Sequence, residues 1–570
     1  MLEVLSLNQW IAFSVKELDL KFFYLAIMVT AFSYSAFANK LIFSDSSKIF
    51  SKQGADAFNQ ANENFRLGLK SQDFILKETK KSLLGSHYYY QQTYIGHEVE
   101  GAELVVTLNS RGHVSKIYNN TVLMRPMSQK SFIPLISEAM ALDLAWNHLG
   151  VQGELLEQPK AELLYKNGQG LVYKIILSTS SPFGHYALMV DATLGTVLSV
   201  EDAALPRMKR AEPALKVLNK KLPLKSFSEA LTRFEKSQKP FNLFENVSFI
   251  SGSAQVFDPN PVVTLGRTDL QDDSDDSLFT QAYKNEQLNE ISFVNGVYHL
   301  RGPKVTLIDF ESPDVAPATS ADGSWLYERS QDQFNDVMTY LHIDRSVRYL
   351  ESLGFTGQHA IFSKSLEIDA NGVDGADNSH YIPSSRRLAF GHGCVDDNED
   401  ADVILHELGH AIQHHINPSW YGGDTGAMGE GFGDYWAASY SVTTENGLNT
   451  EVNWVFKWDG HNDCWPGRKL NAYSPTYNRR RTYAAHAPVD GGISDELWST
   501  PIFQAFLEMY KNGVPRQDID KIILEAHFGL GSGVKMPDMA SSIVKTAKEL
   551  FPDKDYDEVY LRHFKKMKIL

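Results

Sequence analysis

Apolar and polar residues alternate with a period of two over residues 75–120, most plainly in HYYYQQTYIGHEVEGAELVVTLNSRGHVSKIYNN, where Gly96, Gly101 and Gly112 punctuate the run. Alternation of this kind puts one face on a core and the other in water, so it predicts a strand-rich meander. The period lengthens to that of a helix in PLISEAMALDLAWNHLG, residues 134–150, which closes on Gly150. Alternation returns in KAELLYKN, GLVYKIILST and HYALMVDATLGTVLSVEDAA. Together these elements predict an α+β unit ending near residue 204.

The order is lost over residues 205–245, a basic, proline-containing stretch without strand pattern. It reads as a linker in which Arg207-Met208-Lys209-Arg210 is open to proteolysis, or as a linker containing an amphipathic surface helix. Beyond residue 250, strands are expected up to about residue 310 and longer helices after it, such as QDQFNDVMTYLHIDRSVRYLES at 331–352. There is no internal repeat. At 570 residues the chain exceeds what one hydrophobic core accommodates, so two or more domains are expected.

Residues 21–38, KFFYLAIMVTAFSYSAFA, run from a lysine through an apolar stretch to Ala36-Phe37-Ala38, the small-x-small pattern of a signal-peptidase site. The run is shorter than the roughly 20 residues of a membrane-spanning helix, so no stable membrane anchor is expected. Glu3, Glu17 and Asp19 make the preceding stretch unlike a basic leader, which puts the start of translation near Lys21 as an alternative. With 43% hydrophobic and 22% charged residues the composition is that of ordinary globular protein. A net charge of −16 argues against nucleic acid as a partner, because phosphates need Lys and Arg to neutralise them. Two cysteines, Cys394 and Cys464, exclude both a disulfide scaffold and a thiolate zinc site. One disulfide in an exported domain and two unpaired buried thiols both remain open.

The chemistry concentrates in EDADVILHELGHAIQHHINP, where four of the chain's 18 histidines fall within residues 406–415. Glu399, Asp400 and Asp402 favour a helix N-terminus there, and Pro418 bars continuation. One turn apart on such a helix, His406 and His410 share a face and can converge on one ion. Glu407, beside the first of them, is placed to take a proton from water at that ion. Beyond His410, DTGAMGEGFGDYWAASY, with Glu430 twenty residues from His410, predicts a second helix with Asp424 and Thr425 as cap residues. Glu430 on it is the third protein ligand, which leaves a coordination position open as a catalytic zinc requires. Asp434, four residues on and on the same face, would accept the free ring N–H of a ligating histidine. His414 lies two turns beyond His406, too far to share its ion, so His414 and His415 are read as packing or surface residues.

HELGH followed by GAMGE at this interval resembles the ligand pair and glutamate helix of thermolysin-like zinc endopeptidases, and within them the fungalysin branch. The stretch 75–204 is similar to the fungalysin/thermolysin propeptide, and VFDPNPVVTLG at 256–266 to the start of the catalytic unit in bacterial relatives. The resemblance implies an α+β fold: a gluzincin catalytic domain with a strand-rich N-terminal lobe and a mainly helical C-terminal lobe, preceded by an α+β propeptide. Expected divisions are a signal peptide at 1–38, a propeptide at 39–204, a linker and maturation region at 205–250, and a catalytic domain at 251–570. Zn2+ is the implied cofactor, bound by His406, His410 and Glu430, with Glu407 as the general base. Tyr421 falls where the family carries a tyrosine that stabilises the transition state. Asn378-Ser379, in DNSHYIPSSRRLAFGHG, corresponds to a pair that hydrogen-bonds the substrate backbone. Implied partners are protein or peptide substrates and the chain's own propeptide as inhibitor and chaperone.

The family also uses a downstream histidine as an oxyanion donor. Anchoring on SDELWS puts it at Gly492, anchoring on GGI puts it at Pro488, and the nearest histidine is His486. An enzyme lacking the donor would be slow; a peptidase-like binding protein and an aminopeptidase are the competing readings. Ca2+ is a cofactor the family often binds, and DANGVDGADN at 369–378 and the acidic cluster at 272–276 are its candidate loops, with solvated turns the favoured reading of both.

Overall fold

The computed structural model describes residues 40–44, 56–124, 132–202, 226–237, 247–420, 422–462 and 464–570. The signal-peptide segment and Arg207–Arg210 lie outside the described residues.

The first meander forms as its alternation dictates. Strands β1 (Leu41–Phe43), β2 (Phe74–Lys81), β3 (Gly85–Tyr94), β4 (His97–Asn109) and β5 (Val114–Asn119) pair antiparallel, with β1 on β5. Helix α1 (Ala57–Phe65) covers one face, burying Phe58 against Leu104, Val106 and Ile117. A second antiparallel run, β6 (Lys160–Lys166), β7 (Gly170–Ser180), β8 (Phe183–Asp191) and β9 (Val197–Asp202), joins the first through a parallel pairing of Val99 with Tyr165. Helix α2 (Glu138–Leu149) is capped by Ser137, whose side chain accepts the Met140 N–H, and ends on Gly150 at φ 64°. It lays Trp146 on a core with Ile175, Leu188 and Val190.

Of the two readings of 205–245, the helix is present over part of the stretch. Helix α3 (Phe227–Ser237) buries Phe227 and Ala230 in that same core, Phe227 standing 5.7 Å from Trp146. It is therefore an element of the N-terminal part rather than a free linker.

The C-terminal part opens with strands β10 (Ser248–Phe257), β11 (Tyr283–Val294), β12 (Val297–His299), β14 (Thr319–Ser320) and β15 (Ser324–Trp325), in the sheet order β14-β12-β11-β10-β15. A smaller sheet has β13 (Val305–Leu307), β16 (Leu366–Asp369), β18 (Arg387–Phe390) and β17 (Ser379–Ile382) in that order, with β17 at the edge. Beyond the short α4 (Pro261–Leu265), α5 (Asp332–Ser352) is buried on most of its circumference. The remainder is helical: α6 (Ala401–Ile416), α7 (Gly423–Ser441), α8 (Glu496–Lys511), α9 (Arg516–His527), α10 (Met536–Leu550) and α11 (Tyr556–Lys566). The whole is a mixed α+β chain, strand-rich first and helical last. Among the described residues no helix is long and apolar enough to cross a membrane.

The two parts share one core, in which Tyr89, Val105 and Tyr118 join Phe528, Leu530 and Val534. Polar contacts seal the junction. Lys80 Nζ donates to the carbonyls of His415 and Ile416 at 2.9 and 2.7 Å, and Lys116 Nζ to that of Phe528 at 2.6 Å. Glu525 accepts the N–H groups of Leu83 and Leu84 at 3.0 and 3.1 Å. Gly529, at φ +72°, comes so close that a Cβ there would lie 2.4 Å from Thr107 Oγ1.

Candidate metal centre

Helix α6 starts where its acids dictate. Asp400 is the N-cap and its side chain accepts the Asp402 N–H at 2.9 Å; its other oxygen takes the N–H groups of Trp458 and Asp459. Helix α7 starts differently from expectation. Its N-cap is Gly422, and Asp424 lies inside the first turn. The Asp424 carboxylate is spent on tertiary contacts instead, accepting from Tyr477 at 2.7 Å and the Tyr483 N–H at 3.1 Å, and pairing with Lys535 at 3.0 Å.

The two helices cross at glycines, and this brings His406, His410 and Glu430 together with their ligand atoms all within 4.8 Å of one another. His410 Nε2 lies 3.2 Å from Glu430 Oε1, and His406 Nε2 lies 3.4 Å from Oε2. On the far side of the first ring, His406 Nδ1 stands 3.1 Å from Asp434 Oδ1, which fixes the ring's orientation and leaves Nε2 for the centre. All four side chains are buried. Glu430 Oε1 is a buried oxygen that faces the His410 imidazole, and Glu407 Oε2 is a buried oxygen without a donor among the described residues. Two imidazole nitrogens and a carboxylate converging beside such oxygens form a donor set that fits an ion of the zinc type.

Electrostatics express the crowding. Burial and the nearby Arg468 push the His406 pKa down, yet hydrogen bonds to Asp434 and Glu430 outweigh them and hold it up at about 9. Burial alone would raise the Glu430 carboxyl; His486 and His410 outweigh it and keep that group well below the usual carboxylate range.

Glu407, Asn378 and Ser379 line one small pocket together with His406, Glu430, Phe456, Trp465 and Arg468. Ser379 Oγ donates to Asp397, so its hydroxyl is turned away from free solvent. Tyr421 lies outside the described residues. His414 and His415 point elsewhere: His414 Nδ1 meets the Tyr381 hydroxyl at 2.9 Å, and His415 Nδ1 meets the Ala411 carbonyl at 2.8 Å.

Both positions reached by counting, Pro488 and Gly492, lie in one short loop structure. Pro488–Val489 and Gly492–Ile493 form a small hairpin, and His486 before it turns back to the centre. Its Nε2 lies 3.6 Å from Glu430 Oε2, and its Nδ1 lies 2.7 Å from Asp495 Oδ2. Asp495 also accepts the His486 backbone N–H at 2.9 Å, which supports the left-handed φ of 55°. Burial lowers the His486 pKa, but Glu430 and Asp495 prevail and raise it to about 9.

Arg468 is the residue that sequence reasoning missed. Its guanidinium reaches Glu430 at 2.8 Å, Asp434 at 3.0 Å and Asp495 at 3.4 Å, and lies 4.9 Å from the Phe456 ring. Nothing in WPGRKLNAY has the period or spacing of a motif, and only tertiary folding aims it. The segment carrying it is tied by a disulfide between Cys394 and Cys464, whose Cα atoms are 6.6 Å apart. The pair is thus bonded, the first of the two states the sequence left open.

The candidate calcium loops divide. Asp369 is consumed by the N–H groups of Phe310, Glu311 and Asn371, and Asp272 by Arg329. Asp377 instead joins Asp397 and Asp459 in a carboxylate group whose oxygens lie within 4.8 Å and which could hold a hard cation.

The chain matches none of the curated proteins by sequence. Among solved structures it is similar to the precursor of protealysin, a metalloproteinase from Serratia proteamaculans, at 13% identity and a TM-score of 0.35, over 46% of this chain and 84% of that one. It is similar also to the YpeB C-terminal domain of Bacillus megaterium, at 13% identity and a TM-score of 0.17, over 28% of this chain and 70% of that one. Scores this low do not establish a shared fold. The Fungalysin/Thermolysin Propeptide Motif matches residues 72–121, the stretch that forms β2 to β5. This part of the chain carries a propeptide motif of the fungalysin/thermolysin type.

Proposed function

We propose that the chain is the precursor of a secreted zinc-dependent endopeptidase, exported by the segment 21–38 and held inactive by its N-terminal domain until cleavage within 205–250. The observation that carries this reading is the convergence of His406, His410 and Glu430, with Asp434 behind His406 and Glu407 in the same pocket. The propeptide motif at 72–121 supports the zymogen half of it.

When bound there, Zn2+ supplies Lewis acidity, polarising a peptide carbonyl and acidifying water. Glu407, whose Oε2 has no donor, takes the proton from attacking water and delivers it to the departing amine. His486, held by Asp495, donates to the oxygen of the scissile carbonyl as negative charge develops on it, and Tyr421 is the second donor by resemblance. Asn378 and Ser379 border the pocket at the start of β17, the last strand of its sheet, and are assigned to the substrate backbone by resemblance. The place of His486 beside Glu430 supports the catalytic reading over that of a peptidase-like binding protein.

The test is Glu407→Gln, made as the full chain and processed within 205–250 by an added protease in parallel with the parent. Zinc content should stay at the parental level while casein hydrolysis falls by on the order of 10²–10⁴. Amino-terminally blocked peptides should be cleaved by the parent, which an aminopeptidase would leave intact. Parental activity in Glu407→Gln would sink the mechanism.

A further inference from the structure

Away from this centre, a second group of two histidines and a glutamate is enclosed at the junction of the two parts. His185 belongs to β8 of the N-terminal part, while Glu311 and His380 of β17 belong to the C-terminal part; their relative exposures are 1%, 2% and 1%. Their ligand atoms all lie within 4.8 Å of one another.

The spacings resemble those of the His406 centre, although the carboxylate is used differently. His380 Nε2 and His185 Nε2 lie 3.0 and 3.3 Å from one oxygen, Glu311 Oε1, whereas His410 and His406 lie 3.2 and 3.4 Å from the two different oxygens of Glu430. The rings of His185 and His380 cross at 87° with centroids 5.3 Å apart, against 88° and 4.8 Å for His406 and His410. Outer contacts fix the donors as they do around metals. His185 Nδ1 meets Ser178 Oγ at 2.8 Å, and Glu311 Oε2 accepts the Val373 N–H at 3.0 Å, leaving Oε1 for the imidazoles. Phe183 stacks on His380 at an interplanar angle of 10° and covers the group.

Charge adds an independent argument. The ion-pair partners of Glu311 among the described residues are these two imidazoles, with no lysine or arginine. Asp369, a second buried carboxylate, accepts the Glu311 N–H at 2.8 Å and brings further negative charge to the spot. A buried carboxylate is stable when paired with a cation or bound to a metal. Two imidazoles with one carboxylate suit zinc, whereas calcium and magnesium prefer oxygen alone.

We propose that His185, Glu311 and His380 form a second metal site, for a divalent transition metal of the zinc type, that fastens the N-terminal domain to the C-terminal part. The metal would add to the contacts of His185 with Glu311 and of Phe183 with His380 that already cross here, and so act as a staple across the junction. It is also one residue from Ser379, so loosening the staple frees the strand that borders the candidate active site.

The experiment is metal analysis of the full chain in the Glu407→Gln background, which prevents self-cleavage, after loading with zinc and desalting. The parent should hold about two zinc ions per chain and His185→Gln about one, with circular dichroism and gel filtration unchanged. Gln keeps a neutral donor to Glu311 but not the ligand nitrogen; Glu311→Gln is the second variant should the first fail to fold. His410→Ala separates the centres, because it removes the other ion. A parent and a folded His185→Gln with the same zinc content overturn the proposal, whatever His410→Ala does.

Discussion

Gly409 and Gly433 meet backbone to backbone where the two site helices cross: a Cβ on Gly409 would stand 2.8 Å from the Cα of Gly433. The contact explains the glycines in both motifs, since any side chain there would drive α6 and α7 apart and separate His406 from Glu430. A Cβ on Gly433 would lie 2.6 Å from His406 Nδ1, the atom that Asp434 holds. We therefore expect Gly433→Ala to destabilise the fold by about 1–3 kcal/mol and to release most of the metal. Thermal melting and metal analysis check this, and a variant with parental zinc and melting temperature would contradict it.

Asp434→Asn isolates the orienting contact. The side chain keeps its shape but loses the charge that faces both His406 Nδ1 and Arg468. Zinc affinity, measured by competition with a chelator, should fall by about 10- to 100-fold. Affinity equal to the parent's would mean that Asp434 does not set the ring.

These residues also mark how far the sequence could be read. Periodicity located β2 to β9, α2 and α5, and the acidic start with the histidine spacing located α6. The convergence of His406, His410 and Glu430 was legible because helical spacing puts each of them on one face of its helix. Arg468, Asp495 and the turn of His486 were not, because they come from loops whose conformation is set by tertiary contacts rather than by any local period. Counting from fixed anchors left His486 undecided, because its place beside Glu430 depends on a left-handed turn and a small hairpin that have no local sequence period. The shift of the α7 cap from Asp424 to Gly422 has the same origin, a carboxylate claimed by distant tyrosines.

Buried histidines outside the metal centre make the fold sensitive to acid. Burial lowers the pKa of His342 to about 4, with Asp258 opposing and Arg345 assisting, and lowers that of His527 to about 4 as well. His342 Nε2 is engaged by the Phe257 carbonyl at 2.9 Å, and His527 Nδ1 by that of Ile523 at 2.8 Å. Both folded-state values lie below the ordinary 6.5, so the unfolded chain binds the extra protons first. The stability they contribute is full above pH 6.5 and is lost as pH falls from there toward 4. Each such group changes unfolding free energy by about 1.4 kcal/mol per pH unit within that window. Urea melts at a series of pH values should show this slope, and His342→Gln should reduce it by one proton's worth. A slope unchanged in a folded His342→Gln would exclude His342 as a contributor.

Lys80 ties the N-terminal part to the helix that carries both candidate ligands. Its ammonium donates to the last carbonyls of α6, those of His415 and Ile416, where the helix dipole is negative. Burial lowers its pKa, with Glu78 opposing, so the charge is held in a partly desolvated junction. A cation in such a position contributes up to about 2 kcal/mol, and Lys80→Met removes it while keeping most of the stem. The local opening of the junction should then become roughly 5- to 30-fold more frequent. Hydrogen exchange on the full chain reads this directly, as faster exchange of the amides in β2 and β3 with those of α9 and α10 unchanged. Uniform acceleration across all four elements would instead mean global destabilisation, and no acceleration in β2 and β3 would mean that Lys80 is not a docking contact.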